Sequence, residues 1–148
     1  MVTRGIAKQL AGAAVAVVVG WLAALVFIEL LTALELLQQP HYIVPEALLV
    51  TPIEFGLYMS FFIVPVWVLV LVPLYLFVPA GSVLWRWPVC TLCGVVAGVF
   101  VMALWVGGLP GVRGVASEAW YLYVMAAIVG GVTCMTAALM KRRFKQTI

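Results

Sequence analysis

The sequence predicts an all-α fold, an integral membrane bundle of four transmembrane helices with both termini cytoplasmic. Composition, four long uncharged stretches and a one-sided distribution of cations predict it. Of 148 residues, 67% are hydrophobic and 9% charged, where a soluble domain carries roughly a quarter charged. So few polar residues cannot cover a water-facing surface, and lipid must solvate much of the outside. The length allows one domain, residues 1–148, and no separate soluble module. The net charge of +3 comes from bases at helix ends. There they act as topology signals and headgroup contacts, so the expected partner is the lipid bilayer and not nucleic acid.

The first span is expected over about residues 9–37. Arg4 and Lys8 precede it, as in a signal peptide. Its apolar run from Leu10 to Ile28 exceeds the roughly 7–15 residues of an h-region, and no clear small-x-small site follows, which predicts a retained helix. It ends before Pro40, which biases Gln39 away from helical geometry. An outer loop over 38–51 follows, without Lys or Arg, with a short surface helix expected from Pro45 to Leu49. The second span, 52–78, starts at Thr51-Pro52-Ile53-Glu54, with a hydroxyl at the N-cap, Pro at N1 and Glu at N3, the capping-box arrangement. Pro65 and Pro73 predict kinks within it. Trp85-Arg86-Trp87-Pro88 reads as an interfacial anchor, rings at headgroup level around one cation.

The third span is placed over 88–107, closed by Gly107, Gly108, Pro110 and Gly111. The fourth, 117–140, has Ser117 as N-cap and leads into a basic cytoplasmic tail over 141–148. With four crossings, Arg4, Lys8, Arg86, Lys141, Arg142, Arg143 and Lys145 fall on one side and only Arg113 on the other. By the positive-inside rule that side is the cytoplasm, which predicts a multi-pass protein of the cell (inner) membrane. Lys141, Arg142, Arg143 and Lys145 are expected to meet anionic headgroups. All five acids, Glu29, Glu35, Glu46, Glu54 and Glu118, gather toward the opposite end.

Glu29 is the only ionisable residue well inside an apolar run, which makes it a functional candidate. It lies roughly 11 Å from the middle of the first span, within a half-core of about 15 Å, so a carboxylate there also has an interfacial reading. Glu29, Glu35 and Glu54 are the candidate transport or partner contacts. Gly12, Ala16, Gly20 and Ala24, each four apart, with Gly94 and Gly98 on the third span, form small-residue ridges that let backbones approach. They read as packing inside the bundle, with a homodimer seam as the alternative. Glu29 projects nearly opposite the first ridge. If the ridge packs inward, Glu29 faces lipid or another protein.

Cys90-Thr91-Leu92-Cys93 is a C-x-x-C, with Cys134 on the fourth span. A redox pair takes this form, but the topology puts it at the reducing face; small packing residues are the ordinary reading. His41 with Glu46 or Glu54 is the remaining acid–base or cation pair, against the ordinary reading of a solvated loop histidine. No nucleophile with a base and an orienting group can be assembled. No cofactor and no metal are expected, and the motifs identify no family. The function expected is a small non-enzymatic accessory, assembly or immunity-type subunit that packs against another membrane protein, or against itself as a homo-oligomer. The alternatives are a homo-oligomeric proton-coupled transporter or channel using Glu29, and a membrane thiol oxidoreductase using Cys90 and Cys93.

Overall fold

The computed structural model describes residues 2–38, 47–107 and 120–145. Among them are α1 (Val2–Gln38), α2 (Ala47–Val66), a π-helical turn (Trp67–Leu71), α3 (Val72–Phe77), a 3-10 turn (Val83–Trp85), α4 (Trp87–Val106) and α5 (Trp120–Lys145), and no strand. Three helices are long and apolar enough to cross a membrane. The pair Pro52–Tyr58 and Ile63–Phe77, bent by 43°, makes a fourth if it crosses as one broken span. The chain is a helical multi-pass membrane protein.

The helices are longer than expected at three ends, each for a local reason. α1 starts at Val2 and not near residue 9; Arg4 and Lys8 are good helix formers and extend it beyond its apolar run. Its 37 residues span roughly 55 Å against a hydrocarbon core of about 30 Å, so it tilts or projects. α2 starts at Ala47, so Thr51 lies inside the helix and does not cap it. Ala47, Leu48 and Leu49 favour helix enough to absorb the one backbone bond that Pro52 forfeits. α5 runs on through Lys145. The basic segment is therefore the helix's own last turn, where cations complement the macrodipole. α4 ends as expected after Val106, at Gly107 with φ 83°, whose N–H bonds the Ala103 carbonyl; this left-handed cap suits glycine. The remaining outer loop with His41 and Glu46, the Ser117 cap, and Gly108, Pro110, Gly111, Arg113 and Glu118 lie outside the described residues.

The strongest helix contacts join neighbours in the order α4, α5, α1, α2. α5 packs between α4 and α1, and α2 packs on the far side of α1. The α4–α5 contact is glycine-built. A Cβ on Gly94 would collide with the Gly130 carbonyl and one on Gly98 with the Ala126 carbonyl. On α1, Gly12, Ala13, Ala16, Gly20 and Ala24 are buried, and a Cβ on Gly20 would meet the Thr133 hydroxyl. Without a hydrophobic drive between helices in lipid, such close backbone approach is what holds them together.

The second span is interrupted where its prolines demand. Pro65 cannot bond the Phe61 carbonyl and its ring crowds it; residue 61 falls in the break between the two bent arms. Pro73 likewise cannot bond the Leu69 carbonyl, and the chain there widens into the π turn. Polar groups near the bend are satisfied internally. Gly56 leaves room for the Trp21 ring, and its carbonyl accepts from Trp21 Nε1 at 3.2 Å and Ser60 Oγ at 2.7 Å.

Candidate functional site

Two features stand out from the apolar packing: a lysine held inside the bundle and a groove along its open side. Lys141 was expected among lipid headgroups, yet it is 6% exposed. Its Nζ donates to Gln9 Oε1 at 3.3 Å and to the Tyr75 carbonyl. It also lies 5.0 Å from the centroid of the Tyr75 ring and 5.7 Å from that of Trp85. The rings meet edge to face, 5.2 Å apart at 74°. Tyr75 OH donates to the Ala137 carbonyl at 3.0 Å and Trp85 Nε1 to the Val78 carbonyl at 3.3 Å.

An ammonium is thus solvated by two oxygens and two π faces, an arrangement worth about 2 kcal/mol per desolvated ring contact. It ties together α1, α3, the 3-10 turn and α5. Trp85 departs from its expected role too. It is buried, while Arg86 and Trp87 remain exposed at the helix end. One signal could have found Lys141: Gly130, Cys134, Ala137 and Lys141 fall at i, i+4, i+7 and i+11, one stripe of a helix. The lysine closes the same inward stripe that packs on α4.

Arg142 and Arg143 are exposed beside it. The side chain of Lys145 is outside what is described. Glu35 and Glu54 are exposed and Glu29 is half-buried, next to buried Ile28. No hydrogen-bond or ion-pair partner of Glu29 lies among the described residues. Cys90 and Cys93 lie one turn apart on α4. Cys134 packs against the buried cluster that contains Cys90, while Cys93 is exposed. No cluster of three metal-ligating side chains occurs among the described residues.

The groove runs where the row of helices fails to close, between the second span and α4. Val66, Val70 and Leu74 form one wall, Cys93, Ala97, Val101 and Trp105 the other, with Val17, Val129 and Gly130 among the residues beneath. Its volume is about 260 Å³. Neither Glu29 nor any other charged residue lines it. Sequence reading missed it because it arises from a contact that the bent span does not make. Comparison with known families, characterised proteins and solved structures returns no match.

Proposed function

We propose that this chain is a four-span protein of the cell membrane, both termini cytoplasmic, that works without catalysis by packing against another membrane protein as an accessory, assembly or immunity-type subunit. Glu29 carries this reading. A carboxylate in the apolar part of a span is expensive, and its helix has spent the small-residue face on α5. The side chain is half-buried and has no partner among the described residues. A second membrane protein that supplies a donor there would remove the cost. Exposed Val26 and Leu30 on either side of Glu29 would form the rest of the contact.

The test is photo-crosslinking in native membranes from a probe at Leu30, with mass spectrometry of the adduct. A single specific membrane-protein adduct is expected, retained in Glu29→Gln, which keeps the hydrogen-bonding capacity, and lost in Glu29→Leu. A lone, monodisperse monomer with no adduct in either background overturns the reading.

A further inference from the structure

Lys141 is a buried charge with no countercharge among the described residues. Its ammonium belongs to a side chain that is 6% exposed. Both of its hydrogen-bond acceptors, Gln9 Oε1 and the Tyr75 carbonyl, are neutral, and so are the Tyr75 and Trp85 rings beside it. Glu29, the acid on α1 nearest to Gln9, stands roughly 30 Å away along the helix at about 1.5 Å per residue. Buried charges are normally paired or bound to metals. The dipoles and π faces here solvate the ammonium without neutralising it.

Two thiols adjoin the same core. Cys90 belongs to the buried cluster of Tyr75 and Trp85, and Cys134 packs against that cluster. Gly94 follows Cys90 by one turn on the same face of α4, where successive Cβ positions are about 5–6 Å apart. A Cβ on Gly94 would lie 2.8 Å from Cys134 Cβ. The Cβ atoms of Cys90 and Cys134 are therefore at most about 9 Å apart, on opposing walls of one glycine-built seam. Lys141 follows Cys134 on α5 by two turns, roughly 10 Å along the axis.

We infer that Cys90 and Cys134 form a two-coordinate site for Cu(I), with Lys141 as its countercharge. A structural zinc site takes four ligands, and no group of three ligating side chains occurs among the described residues. Soft thiolates select Cu(I), an ion that two ligands in line satisfy. Two thiolates and one Cu(I) carry a net charge of −1, which balances the ammonium. A disulfide, or a divalent ion on the same two thiolates, is neutral and leaves Lys141 uncompensated. Binding forms two copper–sulfur bonds, releases the two thiol protons to water and changes no oxidation state. The inference rests on the helix packing and not on the partner reading above.

The experiment uses the full chain, reduced and in lipid nanodiscs under nitrogen, titrated with Cu(I) held by bicinchoninate as a chromophoric competitor. One Cu(I) per chain is expected, with two sulfur ligands and no nitrogen or oxygen ligand by X-ray absorption. Cys90→Ser and Cys134→Ser should each abolish uptake, and Cys93→Ser should retain it. Cys90→Ala and Cys134→Ala repeat the test should a serine variant fail to fold. Excess Zn(II) should not displace the copper. Unit charges about 10 Å apart at an effective dielectric of about 20 attract enough to change an affinity roughly ten-fold. Lys141→Met should weaken Cu(I) binding by that factor, with Lys141→Gln as the second variant, while Arg142→Met leaves it unchanged. No uptake by the reduced chain overturns the site. Uptake lost in Cys93→Ser but kept in Cys134→Ser would move the metal to the C-x-x-C and overturns it as well. An affinity that is the same in both folded Lys141 variants and the parent overturns the countercharge. Failure of the Leu30 crosslink would leave all these results untouched.

Discussion

Lys141 can remain in an apolar helix because four different groups share its charge. Truncation exposes how much the bundle depends on it. Lys141→Met keeps the stem and the packing volume but removes every N–H donor, which leaves Gln9 Oε1 and the Tyr75 carbonyl unsatisfied. Leaving a buried acceptor without its partner costs about 1–3 kcal/mol. A fall of several degrees in the detergent melting temperature is expected for Lys141→Met, and no measurable change for Arg142→Met on the exposed side of the same turn. Equal melting temperatures for the two variants would show that the cluster contributes nothing. The glycines make a second, independent case. Gly94→Ala drives a methyl group into a backbone carbonyl that cannot yield, and overpacking of that kind costs about 1–3 kcal/mol. At Gly131 a Cβ would come too close to one side-chain methyl, Val95 Cγ2 at 2.9 Å, with Thr91 at ordinary contact distance, and a side-chain rotation relieves that. Thermal unfolding should rank Gly94→Ala well below Gly131→Ala; the reverse order would mean that the α4–α5 contact is looser than described.

The elements divide by what decides them. Spans were readable because lipid allows only helix and because Gly107 and the prolines act on their nearest neighbours. Helix ends were less readable. Thr51 has every local property of a cap, yet a favourable Ala47-Leu48-Leu49 turn before it extends the helix. The Lys141 cluster and the groove depend on which helices touch, and no local rule reports that. The stripe ending at Lys141 was the one available trace, and a cation at a helix end reads by local rules as a headgroup contact instead. The bend of the second span follows from a single residue and can be tested as such. Pro65→Ala removes the ring that crowds the Phe61 carbonyl and should straighten the 43° bend. Spin labels at Ile53 and Leu76, both exposed, in a background with the cysteines replaced by alanine, would then move apart by about 2 Å, given the rise of about 1.5 Å per residue in each arm. An unchanged distance distribution would assign the bend to packing against α1 and not to the proline.

At the scale of the whole molecule, the number of crossings decides on which side the termini lie, and two unrelated observations bear on it. If the bent second span turned back without crossing, three crossings would remain and the termini would lie on opposite sides. Arg86 and the four bases of the last turn would then share a side, with Arg4, Lys8 and Arg113 on the other, and the charge bias that orients membrane proteins would nearly vanish. Geometry points the same way. Gln9 near the start of α1, Tyr75 at the end of the second span, Trp85 before α4 and Lys141 at the end of α5 meet in one cluster. Those four points reach one level of the membrane when every span crosses. Reporter fusions separate the two topologies. A phosphatase active only outside the cytoplasm should be inactive when fused after Gly81 or Ile148 and active after Gln38, and green fluorescent protein should fluoresce after Ile148. An active phosphatase at Gln38, Gly81 and Ile148 alike, with a dark fluorescent fusion at Ile148, would establish three crossings, and it would require the Lys141 cluster to form across a membrane that keeps its members apart.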